Sequence, residues 1–288
     1  MSVLQLIKNN SYEKLLLTGT VFFAKSVGFA QNGNTKNWQL AIQTWTFHKY
    51  SFLESVSKTR ELDVKYLEVY PGQKSGHDDD NPFSYTLPSE RRDNLKNYLK
   101  KVGVKVVALG VIDKYYYNKD NLEKFFEFAQ YMGIPFITAE PEWEDLDAFN
   151  TLAEKYKVKV ALHCHPKPSS HYWHPDSIVA AMKGRKNIGA WPDIGHWARN
   201  GVDIQDAMKK LEGKIWGLHF KDVKEFDNVK TEDTLFGKGV CDLPAVLKEL
   251  KRQKFKGVIS MEYEANENNN MGDMKLNKEF YESELRKL

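Results

Sequence analysis

The chain has 288 residues, 41% hydrophobic and 28% charged, with 42 basic against 39 acidic side chains for a formal net charge of +3. That content supplies one large core or two smaller ones. The near-balanced charge, with lysines scattered along apparent helix faces, lacks the basic stripe of a nucleic-acid binder, and the cysteines, Cys164 and Cys241, form neither a disulfide framework nor a zinc knuckle.

At the amino terminus, Lys14 precedes a mostly apolar run at 15–24 that Lys25 cuts short, and Gly28 and Ala30 flank a plausible cut after residue 30. This pattern reads as a secretory signal peptide over 1–30 and a polar linker over 31–37. The apolar run is too short to cross a bilayer, for which roughly 20 residues are needed. A periplasmic or secreted protein is therefore expected, with a cytoplasmic protein carrying an N-terminal extension as the alternative. The fold is expected to begin near Trp38.

From Trp38 onward, short apolar runs alternate with helical segments. The runs lie at 40–44, 66–69, 104–109, 135–139, 158–162, 188–191, 215–218 and 258–261. Helices are expected over 52–61, 89–101, 120–132, 146–156, 176–182, 203–211, 243–251 and 274–286. In 203–211, Ile204, Ala207, Met208 and Leu211 keep the i, i+3, i+4, i+7 spacing of a helix with one buried face. Ser89 is expected to cap the second helix, without a capping box because Arg92 stands three residues on. Gly103, Gly133 and Gly257 suit left-handed positions after helices. The runs are continuously apolar, as in parallel strands covered on both faces. Eight such units in about 250 residues predict a single (β/α)8 TIM barrel over 38–288. A doubly wound sheet would carry a glycine-rich phosphate loop after the first run, where Gln43, Thr44, Trp45, Thr46, Phe47 and His48 stand instead.

The carboxyl ends of barrel strands are where chemistry sits. Here they carry Trp45 and His48, Glu68, Asp113, Glu140 and Glu142, His163 and His165, Asp193 and His196, His219, Lys221 and Asp222, and Glu262 and Glu264. Buried charge is costly unless paired or metal-bound, so a ring of acids and imidazoles suggests a divalent metal at the barrel mouth. Each candidate has a plainer reading. Asp193 could cap a turn before Gly195, His219 could be a satisfied core histidine, and Glu262 could pair with a lysine. Glu142 and Glu144 compete with Glu140. Glu68 suits either an ion pair or a substrate contact. His163 and His165, two apart, face one side if the strand continues that far, and one of them could be a metal ligand. The segment between Ala161 and Ile188, with Pro166, Pro168, Pro175, Tyr172 and Trp173, reads as a loop over the mouth.

Five motifs fall in order at successive strand ends: Leu162-His163-Cys164-His165-Pro166, Asp193-Ile194-Gly195-His196-Trp197, Leu218-His219-Phe220-Lys221-Asp222, Gly237-Lys238-Gly239-Val240-Cys241-Asp242, and Ile259-Ser260-Met261-Glu262-Tyr263-Glu264. With them, the chain from about Trp38 to Leu288 resembles the sugar phosphate isomerase/epimerase family, the xylose isomerase-like TIM barrels. The resemblance implies one divalent metal (manganese, magnesium, cobalt or zinc) held by Glu140, Asp193, His219 and Glu262. It also implies that Glu140 and Glu262 are the acid and base of a sugar isomerase or epimerase that moves a proton alpha to a carbonyl through an enediolate. His163, His165, His196, Lys221, Glu68 and Trp45 are the expected substrate contacts, with Trp191 and Trp197 as further apolar faces for a sugar ring. Many family epimerases carry an acid or Asn where His163 and His165 stand, which leaves the substrate open.

Alternatives on the same scaffold are a lyase or dehydratase acting on a keto-sugar or 3-keto-glycoside by β-elimination, and a non-catalytic sugar-binding protein. The multi-zinc endonuclease IV branch is disfavoured by the charge balance. No glycine-rich anion nest or arginine cluster supports a phosphorylated substrate. The expected partner is a small carbohydrate, with homo-oligomers possible and neither nucleic acid nor a membrane span expected.

Overall fold

Short β-branched and aliphatic runs, each followed by an amphipathic helix, build a ring of eight parallel strands. The computed structural model describes residues 35–76 and 79–288; the expected signal peptide and most of the linker lie outside the described residues. In chain order the strands are β1 (Gln39–Gln43), β2 (Tyr66–Val69), a small antiparallel hairpin of β3 (Lys74–Gly76) and β4 (Asp79–Pro82), β5 (Lys105–Ile112), β6 (Phe136–Ala139), β7 (Lys159–Leu162), β8 (Ile188–Ala190), β9 (Gly217–Phe220) and β10 (Val258–Met261). The main sheet runs β8-β7-β6-β5-β2-β1-β10-β9. Parallel bridges Ala190–Ile215 and Asp193–His219 close the circle between β8 and β9.

The helices are α1 (Phe52–Glu61), α2 (Ser89–Val102), α3 (Leu122–Met132), α4 (Leu146–Tyr156), α5 (Pro175–Met182), α6 (Ile194–Arg199), α7 (Ile204–Lys210), α8 (Leu243–Arg252) and α9 (Met271–Lys287). Their apolar faces pack on the strands; Phe125, Phe126, Phe149 and Leu247 are all at most 1% exposed. A second, smaller cluster fills the barrel interior, where Ala41, Ala108 and Ala161 are matched by the large rings of Trp191, Phe136 and Trp216. Gly189 and Gly217 make room for those rings. A Cβ on Gly217 would lie 2.4 Å from the Trp191 ring, and one on Gly189 would lie 2.3 Å from the Trp216 ring.

The eight units match the expected order, and several details differ. Ser89 is already inside α2, whose N-cap is Pro88 with no side-chain cap bond. Gly103 and Gly133 are left-handed, but the residue after α8 that takes that conformation is Lys254, with φ of 55°. Gly257 is instead needed for space, since a Cβ there would lie 2.1 Å from the Trp216 carbonyl oxygen. The β3–β4 hairpin and the six-residue α6 have no apolar period to announce them. The loop after β7 is packed down: Tyr172 is fully buried, its hydroxyl donates to the Pro141 carbonyl at 2.6 Å, and the Lys167 amide donates to Asn200 Oδ1 at 3.1 Å. Among the described residues, no helix is long and apolar enough to cross a membrane.

Candidate active site

At the carboxyl ends of the strands a cavity of about 330 Å³ opens, within the usual range of ligand sites. Trp45, His163, His165, His196, His219 and Glu262 line it. Trp45, 39% exposed at the rim, stacks on His48 with centroids 4.9 Å apart, meets Tyr70 edge-on at 5.1 Å, and donates its indole N–H to Glu264 Oε2 at 3.1 Å. Trp191 and Trp197, by contrast, are fully buried, and neither lines the cavity. Their role is packing.

The floor is built by β7, β8, β9 and β10. Asp193, at the end of β8, caps α6 by accepting the His196 amide at Oδ1, 2.8 Å away. Its other oxygen, Oδ2, is fully buried and accepts no hydrogen bond. Around that oxygen stand Lys221 Nζ at 3.3 Å, His196 Nε2 at 3.5 Å, His219 Nδ1 at 3.6 Å and His163 Nε2 at 3.9 Å. Burial opposes ionisation of Asp193, but His196 and Lys221 outweigh it and hold the carboxyl well below its usual range.

His219, on β9, is wedged between carboxylates. Nε2 faces Glu68 Oε2 at 3.0 Å, and Nδ1 faces Glu262 Oε2 at 3.0 Å. Burial disfavours its charge, yet Glu68 and Glu262 raise its pKa well above that of an ordinary imidazole. Glu68 is itself buried behind His219, takes a hydrogen bond from the Thr138 hydroxyl at 2.8 Å, and does not line the cavity.

Lys221 is fully buried, its ammonium 3.1 Å from Glu262 Oε2 and 2.5 Å from Glu264 Oε1. Those carboxylates and Asp193 outweigh burial and keep it charged, with its pKa well above the ordinary value. Gly195 leaves space for its stem, since a Cβ there would lie 2.8 Å from Lys221 Cδ. Glu262 is likewise held low: burial opposes the charge, and Lys221 and His219 outweigh it. On the other wall, Arg199 pairs with Asp233 at 2.6 Å and donates from Nη1 to His196 Nδ1 at 3.0 Å. Burial first of all pushes His196 well below the ordinary imidazole range, so the neutral ring carries its proton on Nε2.

Glu140, after β6, lies behind the cavity wall and does not line it. Its Oε1 accepts from His163 Nδ1 at 2.8 Å, His165 Nδ1 at 2.8 Å and the His165 amide at 2.7 Å. Burial opposes its charge, but His165 and His163 outweigh this and hold it well below the carboxylate range. Among the described residues, two groups of donor atoms lie within 4.8 Å of one another: Glu140, His163 and His165, and His163, Asp193 and His219. Glu140 and Glu262 do not share one cluster. Gln43, Tyr70 and Tyr116 also line the cavity without having been singled out from the sequence; Tyr70 lies two residues after Glu68, on the same side of a continuing strand.

A divalent cation fits this donor set. A buried carboxylate oxygen without a hydrogen bond is rare, and imidazole nitrogens together with carboxylates are the ligands of such ions.

The profile of the xylose isomerase-like TIM barrel matches residues 56–283. The inosose isomerase of Halalkalibacterium halodurans is 26% identical over 205 residues, covering 61% of this chain and 72% of the relative. A solved, uncharacterised protein of Parabacteroides distasonis is 35% identical with a TM-score of 0.69, covering 86% of this chain and 99% of that one. The solved IOLI protein, described with a bound zinc atom, superposes with a TM-score of 0.72 at 19% identity, covering 86% of this chain and 98% of its own. By fold, by the order of its strand-end residues and by this match, the chain belongs to the xylose isomerase-like TIM barrel family.

Proposed function

We propose that the protein is a metal-dependent isomerase or epimerase of an unphosphorylated keto-sugar, working by proton transfer at a carbon next to a carbonyl. The observation that carries this reading is the fully buried Asp193 Oδ2, which accepts no hydrogen bond and faces His219 Nδ1 beside Glu262 on the floor of a cavity. Asp193 and His219, with Glu262 beside them, would hold one divalent ion. Such an ion, when bound, supplies Lewis-acid stabilisation of negative charge on a substrate carbonyl oxygen.

The chain's own residues do the rest. Glu262, ionised and reaching the cavity, is placed to take a proton from the substrate carbon. Glu140, the second expected proton carrier, reaches the cavity through His163 and His165, each of which donates from Nδ1 to it at 2.8 Å; His165, the more exposed of the two, is the group that returns a proton. Burial works against charge on His165, but Glu140 outweighs it and raises the pKa, as an acid at neutral pH requires. His196 offers Nε2–H to a hydroxyl, Lys221 keeps Glu262 ionised, and Trp45 presents an apolar face at the rim.

The test is proton NMR in deuterated water with a panel of free ketoses and 3-keto-glycosides. Deuterium should enter next to the carbonyl and cease to enter on adding EDTA. A product with a broken glycosidic bond or lost water would assign the lyase reaction instead, and no exchange on any sugar would leave a binding protein.

A further inference from the structure

We infer that the face of the barrel opposite the cavity is a docking surface for an anionic lipid bilayer. Lysines that lie scattered along the sequence are gathered there by the fold. The strands of the main sheet run parallel, so each connection from a helix into the next strand lies at the amino ends of the strands. Segments 58–65, 100–105, 154–159, 183–187, 209–216 and 249–257 are such connections with the helix turns before them, and 130–135 is an uncharged one. The carboxyl end of α9, 284–288, reaches the same face, where Lys287 and Leu288 share a pocket with Lys251, Arg252 and Lys254. Together these segments hold 21 Lys and Arg against 6 Asp and Glu, whereas the rest of 35–288 holds 18 against 32. The positive excess is confined to one end of the molecule.

Helix geometry explains part of this. The macrodipole favours cations in the last turn of a helix, and Lys58, Lys100, Lys155, Lys209 and Lys251 are of that kind. It does not explain Lys65, Lys105, Lys159, Lys214 and Lys256, which stand past the helices, at or shortly before the starts of β2, β5, β7, β9 and β10. All five are exposed. The Lys105 amide donates to the Lys65 carbonyl at 2.8 Å, the Lys159 amide to the Pro135 carbonyl at 2.9 Å, and the Ala190 amide to the Lys214 carbonyl at 2.9 Å. The five lysines thus ring the barrel axis in one layer of the sheet. Among the described residues, Lys65, Lys105, Lys214 and Lys256 pair with no carboxylate.

What suits this face to lipid rather than to nucleic acid is the apolar surface between the charges. A groove of about 600 Å³ there is lined by Tyr66, Val104 and Pro135 together with Lys100 and Lys105. Lys159 Nζ stands 4.7 Å from the centre of the half-buried Trp216 ring. Trp and Tyr rings beside cations match the headgroup level of a bilayer, and anionic headgroups attract each nearby lysine. The charges surround a broad end of the barrel instead of forming the stripe that follows a phosphate backbone. The amino terminus joins the fold at the same face: Trp38 donates its indole N–H to the Phe255 carbonyl at 2.9 Å, and the Gln39 amide donates to the Gly257 carbonyl at 2.9 Å. The apolar run at 15–24 is therefore attached to the barrel on the docking side. Docked this way, the molecule turns its cavity away from the bilayer.

The test sediments the full chain with vesicles of phosphatidylcholine alone and of phosphatidylcholine and phosphatidylglycerol in equal parts. Binding is expected to the anionic vesicles and not to the neutral ones at about 0.1 M salt, and it should fall steeply at about 1 M, where the screening length is only about 3 Å. A lysine near an anionic surface contributes about 5-fold to partition. The joint variant Lys65→Gln, Lys105→Gln, Lys214→Gln and Lys256→Gln should therefore bind about 10²–10³-fold more weakly. The same change at the other end, Lys119→Gln, Lys230→Gln, Lys238→Gln and Lys275→Gln, should weaken binding by less than about 5-fold. Circular dichroism checks folding, and if the ring variant does not fold, Lys100→Gln with Lys101→Gln and Lys183→Gln repeats the test on the same face, with an expected loss of about 10²-fold. Equal binding to both kinds of vesicle would place the contact in the apolar run and overturn the inference. No binding to the anionic vesicles, or equal losses in the variants of the two ends, would overturn it as well. Tighter binding to a duplex DNA oligonucleotide than to the anionic vesicles would assign the face to nucleic acid instead.

Discussion

Lys221 shows how one side chain couples the whole floor. Fully buried, it is charge partner to Asp193, Glu262 and Glu264 at once. Removing one member of a buried charge group strands the others, at a cost of about 3–5 kcal/mol. Lys221→Met should therefore lower stability by about that amount in a urea titration, while a surface lysine such as Lys209, 58% exposed in its pair with Asp206, should change it by less than about 1 kcal/mol. Glu262 is different in kind. Glu262→Gln keeps the volume and removes the proton acceptor, so deuterium exchange into the sugar should fall by about 10²–10⁴-fold with the circular dichroism spectrum intact; full activity in that variant would remove Glu262 from the chemistry. Both residues were legible as strand-end candidates. The placement of Glu68 and Glu140 behind imidazoles was not, because strand position shows that a carboxylate is near the mouth but not whether an imidazole stands in front of it.

Among the elements, strands and long helices followed from their periods, and the pieces between them did not. The β3–β4 hairpin is short and polar, held by Asp79 rather than by apolar packing. Asp79 accepts from Ser75 at 2.6 Å and from the Asn81 amide and side chain at 3.1 and 2.6 Å, and pairs with Arg91 on α2. Burial works against its charge, but Ser75, Arg91 and Asn81 outweigh this and lower its pKa from 3.8 to about 2. Because the folded value is depressed, its contribution to stability is complete above 3.8 and is lost as pH falls toward about 2. Asp79→Asn should therefore lower Tm at neutral pH, and the gap from wild type should close between pH of about 4 and 2. A gap independent of pH would mean that shape, not charge, holds the hairpin. The α6 turn was equally hidden. It exists because Asp193 Oδ1 caps it, so the cap and candidate-ligand readings of Asp193 each take a different oxygen of one carboxylate.

For the whole molecule, the proposed ion would tie the ends of β8, β9 and β10 together beside the point where the ring is closed by isolated bridges. A ligand that binds only the folded state adds stability by mass action, about 2.7 kcal/mol at 100 times its dissociation constant. Zinc added to metal-free protein should raise Tm, and a chelator should reverse the rise; no change in Tm would count against an ion at this closure. What the sequence by itself determined is the alternation of eight apolar runs with amphipathic helices, hence the barrel, and the ring of acids and imidazoles at one end of it. Those follow from local periods and from the rule that strand ends share a face. Only the tertiary structure decided which of those groups touch. Asp193, His163 and His219 come from three different strand ends, and closure of the barrel brings their polar atoms within 3.9 Å of one another. Glu140 and Glu68, equally acidic and equally close in sequence terms, end one layer behind. The physical reason is that hydrogen-bond direction and burial depend on neighbours brought together across the fold, which no spacing along the chain encodes.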